Sequence, residues 1–266
     1  GDGWFRYNGK DCRAGFTFGK DDINIFNYLK SIINNVYGKE IKEMRMENGT
    51  IQLSYHSKKF VGFLKELDVK PVHSDKKIVP ESIFTATKEA VVGFLQGLFS
   101  SDGTISTHQK NKTYYIRLTS KSEKLLKGVQ LLLLNLGIIS KIYERHRNRR
   151  VIFNYKTIRG ELRLYESDGI LYELQISKDM IPKFLSEIGF LCDKNKDKIS
   201  TLEKVGFYSS NFYDEVISIE SIGPQKVYDL SEPNSHSFIA NGIVIHNCGE
   251  KPLLPNEPCN LGSLNV

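Results

Sequence analysis

The sequence predicts an α/β (α+β) fold: two pseudo-symmetric copies of one α/β unit, then a short all-β segment. Three observations predict it. An amphipathic helix, a β-hairpin and a second amphipathic segment occur early in the chain, and the same kinds of element return roughly a hundred residues later. The return is legible in letters. Ser57-Lys58 before Phe63-Leu64-Lys65-Glu66-Leu67 matches Ser177-Lys178 before Phe184-Leu185-Ser186-Glu187-Ile188, and Lys77-Ile78 falls opposite Lys198-Ile199. Residues 214–248 then change to apolar alternation with tight turns, at Val216, Ile217, Ile219, Ile222, Val227, Tyr228, Phe238, Ile239 and 243–245. Copies of this length exceed a solenoid repeat, so a pair of halves sharing one interface is expected.

Taken in order, Asp21-Asp22 can cap a helix whose Ile25, Leu29, Ile32, Ile33 and Val36 share a face and which stops at Gly38. The β-prone runs 41–46 and 50–55 are joined through Glu47-Asn48-Gly49, and Asn-Gly is a strong hairpin signal. Phe60, Phe63, Leu64 and Leu67 mark the second amphipathic segment. Residues 88–103 form the sharpest feature. Gly93 and Gly97 lie four apart, so one helix face has no side chains and admits another backbone. Asp102 ends that helix, where the macrodipole disfavours negative charge by a few tenths of a kcal/mol. A carboxylate placed there suggests a bound cation; an Asp-Gly turn after a core helix is the alternative.

Residues 113–119 read as a strand. Ser122-Glu123 opens a Leu-rich helix with Leu125, Leu126, Val129, Leu132, Leu133 and Leu136, stopped at Gly137. Strand-like runs 139–143 and 151–155 flank the basic turn of Arg145, His146, Arg147, Asn148, Arg149 and Arg150, and the second copy carries an extra stretch at roughly 156–169.

Composition narrows the function. The chain has 266 residues, 40% hydrophobic and 26% charged, with 15 Phe and 13 Tyr, which excludes long disorder. No run approaches the ~18 apolar residues of a membrane span, and the opening Gly-Asp-Gly-Trp-Phe-Arg has no signal-peptide pattern. Cys12, Cys192, Cys248 and Cys259 fit no zinc spacing and no small disulfide framework, so a reducing cytoplasm is expected. The net charge of +6 is uneven. Residues 206–266 hold two Lys against seven acids, a balance of −5, while the other 205 residues carry 35 basic and 24 acidic groups, or +11. The basic body suggests a polyanion partner.

Gly1-Asp2-Gly3 repeats the Asp102-Gly103 pair at a spacing of 100 residues. Together with the stretch 92–103, this resembles the LAGLIDADG (dodecapeptide-type) homing endonucleases over residues 1–205. In that family two motif helices pack through small residues, and each ends in an acidic metal ligand. The resemblance implies two αββαββα repeats, the first motif cut to its last residues, with Asp2 and Asp102 holding Mg²⁺ for phosphodiester hydrolysis. It also implies a lysine near the site. Lys77 matches best, and its counterpart is Lys178, Lys196 or Lys198. The hairpins would form a saddle on double-stranded DNA, with Lys110, Lys112, Arg145, Arg147, Arg149 and Arg150 as contacts. A charged hairpin tip that keeps an edge soluble is the alternative.

His246-Asn247-Cys248 has chemistry of its own. An Asn amide can attack its own carbonyl, a His can protonate the leaving amine, and a following Cys can accept an acyl group. Val227-Tyr228-Asp229-Leu230, 236–242 and Val244-Ile245-His246-Asn247-Cys248 resemble the C-terminal splicing blocks of inteins, the last β-strands of a Hint domain. The resemblance assigns Asn247 to cyclisation and Cys248 to acyl transfer, with His246 and His236 assisting and Asp229 as a helper. Residues 206–247 would be this splicing segment and 248–266 host sequence. Cys248-Gly249-Glu250 and Cys259-Asn260-Leu261-Gly262-Ser263 resemble a ribonucleotide reductase active-site loop, of the adenosylcobalamin-dependent class, in which Cys248 and Glu250 would act after splicing. An N-terminal intein fragment is the implied partner. The alternative is an inactive or DNA-binding-only relic of an intein within a reductase chain.

Overall fold

A computed structural model of the chain describes residues 3–8, 11–46, 49–108, 113–146, 152–156, 162–166, 169–192, 195–205, 215–226, 230, 232–240 and 243–246. The chain divides into two units, Gly1–Ser210 and Asn211–Val266.

In the first unit, β1 (Gly3–Tyr7) and β2 (Cys12–Phe18) form a hairpin followed by α1 (Ile23–Tyr37). Strands β3 (Met44–Arg45) and β4 (Ile51–His56) and helix α2 (Lys58–Glu66) complete this half, whose antiparallel sheet has the order β1-β2-β4-β3. A single 3₁₀ turn (Ser74–Lys76) and the short α3 (Glu81–Phe84) lead to α4 (Lys88–Asp102). The second half then runs β5 (Gly103–His108), β6 (Thr113–Ser120), α5 (Glu123–Asn135), β7 (Ser140–His146), β8 (Ile152–Lys156), β9 (Leu162–Glu166), β10 (Ile170–Ser177), α6 (Ile181–Glu187) and α7 (Lys196–Val205). Its sheet order is β5-β6-β10-β7. With β8 and β9 set aside, this is the order of the first sheet, as the letter repeat predicts.

Hairpin β8–β9 contains the start of the predicted extra stretch and opens before it, at Ile152. The runs expected to flank the basic turn are strands, but β7 pairs with β10 and β8 with β9. Ser57 caps α2 by accepting the Phe60 N–H at 3.2 Å, and Ser177 stands at the matching place before a 3₁₀ turn (Lys178–Met180) that leads into α6.

The larger core lies in the second half. Leu95 and Phe99 of α4 and five α5 residues (Leu125, Leu126, Val129, Leu132, Leu133) pack on Ile116, Leu118, Leu174 and Ile176. Gly38 and Gly137 sit where predicted, each with the positive φ that ends a helix in the left-handed conformation. Two predicted stripes rotate. In α1, Phe26 stands edge-on to Phe18 at 5.5 Å, so the buried arc runs through Ile25 and Phe26 towards Leu29 and Ile33. Ile32 and Val36 consequently face water, Val36 at 67% exposure. In α2 the buried position is Val61, flanked by Phe60 and Leu64, and Phe63 and Leu67 are exposed.

In the second unit, β11 (Ser237–Ala240) and β12 (Ile243–His246) form a hairpin. The alternation at 216–222 makes no strand among the described residues, and Val216, Ile217, Ile219 and Ile222 are exposed. A period-two run becomes a strand only beside another strand, and none pairs with 216–222 among the described residues. Val227 and Tyr228 lie outside the described residues. No helix among the described residues is long and apolar enough to cross a membrane.

The α4–β5 junction depends on a missing side chain. Gly103 donates its N–H to Phe99 O, and a Cβ at Gly103 would lie 2.4 Å from that oxygen. Gly103→Ala should therefore lower stability by about 1–3 kcal/mol in urea unfolding. Gly93→Ala, whose Cβ would meet nothing within 4 Å, should leave it unchanged or raise it by up to about 1 kcal/mol.

Candidate functional site

Helix α4 begins at Thr87, whose Oγ1 accepts the Ala90 N–H at 3.5 Å. One flank is locked to α6 and the chain after it. Phe99 meets Phe184 edge-on at 4.8 Å, Gln96 Nε2 donates to Ile188 O at 2.7 Å, and Ser100 Oγ accepts the Leu191 N–H at 2.8 Å. Phe94, Gly97, Leu98, Ser101 and Asp102 face elsewhere, into a cavity of about 640 Å³. Gly3, Phe16, Phe18, Ile25 and Leu29 of the first half also line it, with Lys77 and Ile78. The backbone expected against Gly93 and Gly97 is not there among the described residues. A Cβ at either would meet nothing within 4 Å, because the small-residue face opens on space.

Asp102 is exposed on this cavity, as a cation ligand needs to be. Lys77 borders it as well, held by its own backbone. Buried Ser122 donates from Oγ to Lys77 O at 2.5 Å and accepts the Leu125 N–H at 3.2 Å, so one hydroxyl caps α5 and fixes Lys77 to the second half. Asp2 lies outside the described residues, although its neighbour Gly3 lines the same cavity. Of the three lysines weighed as the counterpart of Lys77, Lys198 reaches the α4–β5 junction, with Nζ 3.1 Å from Thr104 Oγ1. Lys178 lies over the Tyr114 ring instead. No group of three or more metal-ligating side chains occurs among the described residues. A hard carboxylate oxygen on an open cavity still fits Mg²⁺, which is typically bound by one or two carboxylates and keeps several waters.

The outer faces of both sheets are polar. Register places Arg117 beside Gln175, and Glu173 beside Thr119 and Tyr143, with Lys141 and Arg145 on the same side of β7. Glu173 binds Arg145 Nη2 at 3.1 Å and Arg117 Nη1 at 3.5 Å. In the first sheet Arg6 stands directly opposite Arg13, with Asp11 between them at 3.9 and 2.5 Å. The Arg13 hydrogen bond holds the Asp11 carboxyl below its ordinary range. Trp4 lies across Gly15, where a Cβ would fall 2.4 Å from the indole.

Arg145 is thus placed on a sheet face. Lys110, Lys112, Arg147, Arg149 and Arg150 lie outside the described residues. Sequence reasoning passed over Arg117, Arg13 and Glu173. The signal was available, because each occupies the polar phase of an alternating strand.

In the second unit, Ser237 pairs with His246, so His236 and His246 come to one end of the β11–β12 hairpin. Glu232 holds the turn before it. Its carboxylate accepts from Ser235 Oγ at 2.6 Å and from the N–H groups of Ser235 (2.6 Å) and Asn234 (3.0 Å), which lowers its pKa to about 2. Asp229, Asn247, Cys248 and Glu250 lie outside the described residues.

Comparison with known proteins finds relatives in sequence and in structure. Residues 89–189 match the LAGLIDADG-like domain. The α subunit of a ribonucleoside-diphosphate reductase (NrdEB) from Bacillus subtilis is 31% identical over 211 residues, covering 72% of this chain and 19% of that protein. A DNA polymerase from Thermococcus hydrothermalis is 28% identical over 260 residues, covering 92% of this chain and 14% of the polymerase. The replicative helicase DnaB of Synechocystis is 26% identical, covering 90% of this chain and 35% of the helicase. The chain therefore spans less than two fifths of each of these relatives. Among solved structures, the homing endonuclease I-DmoI aligns at 20% identity with a TM-score of 0.45, over 69% of this chain and 80% of that one.

The double duty of Ser122 has a measurable consequence. Ser122→Ala should cost about 1–2 kcal/mol, as a lost helix cap does, and quicken amide exchange at residues 77–79. Ser57→Ala removes a comparable cap from α2 and should leave exchange at 77–79 unchanged.

Proposed function

We propose that this chain is part of an intein carrying a LAGLIDADG homing endonuclease, a DNA-cutting body joined to a peptide-rearranging tail and a fragment of a ribonucleotide reductase host. The observation that carries the nuclease reading is the LAGLIDADG-like helix α4, which ends in Asp102 on a cavity that Lys77 also borders. The relatives support the insertion reading. A reductase, a polymerase and a helicase share no chemistry, yet each resembles this chain over a minor share of its own length. A mobile insert common to unrelated hosts accounts for that pattern.

Asp102, with Asp2, would hold the Mg²⁺, which when bound activates water and neutralises charge at the scissile phosphate. Lys77 sets a positive charge beside the same cavity, and Lys198 adds a second near Thr104. The outer sheet faces, with Arg6, Arg13, Arg117 and Arg145, supply double-stranded DNA contacts. In the tail, Asn247 attacks its own carbonyl as His246 protonates the leaving amine, assisted by His236. Cys248 Sγ must already hold the upstream acyl group, supplied by an N-terminal intein fragment, when its peptide bond to Asn247 breaks, and the thioester then passes to the freed Cys248 amine. In the spliced host, Cys248 and Glu250 would belong to the reductase site.

The nuclease arm is tested on duplexes carrying the uninterrupted reductase gene, with the N-terminal fragment supplied. Cutting should require Mg²⁺, and Asp102→Asn should slow it at least about a hundredfold while DNA binding persists, since losing even an outer-shell partner of a metal costs about 10–100-fold. Binding without cutting by the unaltered chain would instead favour a DNA-binding relic. Intact mass tests the tail. Release of residues 248–266 should disappear in Asn247→Ala, and release that survives this change rules out the cyclisation route.

A further inference from the structure

Among the described residues Glu173 is the one buried acid, at 7% exposure, and it lies on the outer face of the second sheet. It sits on the central strand β10 between two arginines from different neighbours, Arg117 of β6 and Arg145 of β7. The arginine side chains are 41% and 49% exposed, while the carboxylate between them is covered. Each guanidinium commits one Nη to the carboxylate, out of five donors. Gln175 Nε2 also donates to Glu173 Oε1, and the Arg145 guanidinium lies 5.2 Å from the Tyr143 ring centre. Arg145 is thereby held from two sides.

Burying a carboxylate is unfavourable unless it is paired and hydrogen-bonded, and an exposed ion pair contributes little to folding. Stability therefore gives a weak reason for this arrangement, whereas order in the two arginines gives a strong one. A free arginine swings to whichever phosphate is nearest and reads no sequence. An arginine fixed in advance loses less side-chain entropy on binding and presents its donors in one geometry. The trio carries +1 rather than +2, which also weakens attraction to phosphate of any sequence. The first sheet uses a related device, with Asp11 between Arg13 and Arg6.

We propose that Glu173 is a specificity-determining positioning residue, which holds Arg117 and Arg145 as a preset pair for reading base edges of double-stranded DNA. This rests on the DNA-binding reading above. The test uses the full chain and a pool of duplexes of randomised sequence, from which bound sequences are selected and read. The unaltered chain should enrich a defined sequence. Glu173→Gln should bind the unselected pool several-fold more tightly, with a salt dependence steeper by about one phosphate. It should discriminate the selected sequence about tenfold less well. Glu173→Asp keeps the charge but withdraws the carboxylate, so it should lose discrimination without tighter pool binding, and it serves if Glu173→Gln does not fold. Discrimination retained in a folded variant of either kind overturns the proposal alone. If the unaltered chain selects no sequence, the DNA reading falls and this proposal falls with it.

Discussion

Phe99 is fully buried in the last turn of α4, edge-on to Phe184, and its carbonyl receives the Gly103 N–H. That pair of contacts sets the level at which the helix stops and the direction in which β5 leaves. Everything of chemical interest in the second half is measured from that point. Asp102 stands immediately before the turn, and Thr104 with its Lys198 partner immediately after it. β5 then aligns β6, β10 and β7 through consecutive ladders. A helix end locked by aromatic packing can hold a carboxylate against the unfavourable dipole, because the core rather than local electrostatics decides where the helix ends.

The two halves share a sheet order but differ in what covers the sheet. The second has α4 packed on its own core, and the first presents Phe16, Phe18, Ile25 and Leu29 to the cavity that α4 borders from the other side. The polar faces, by contrast, are alike in kind. Each has an acid between two arginines, on adjacent strands in the first sheet and on the two strands flanking β10 in the second, so basic charge is held in place rather than spread evenly.

The helices were legible where apolar spacing and a cap agree, as in α5, where five of the six expected positions, Leu125, Leu126, Val129, Leu132 and Leu133, are buried behind a capping Ser122 and Leu136 is half-buried. The repeat was legible because Ser57 and Ser177 both precede helices. The α1 stripe was misread by a fraction of a turn, since the Phe18–Phe26 contact that rotates it is a tertiary event absent from local spacing. The bond from Ser122 to Lys77, 45 residues apart, joins a helix cap to a loop, and the convergence of Arg117 and Arg145 on Glu173 depends on strand register; no local pattern contains either. Asp102 was marked by its place at a helix end against the dipole and Lys77 by resemblance, and the fold brings both to one cavity.

Hairpin β8–β9 interrupts the second sheet in sequence and leaves it intact in space, because β7 and β10 still pair through seven consecutive residues. Joining two strands through a longer connection costs only about 0.6 kcal/mol for each doubling of its length. The β7–β10 link is therefore a place where the chain can grow at little thermodynamic expense. Lineages sharing this architecture are free to vary in length there while every rung of the ladder beneath keeps its partner.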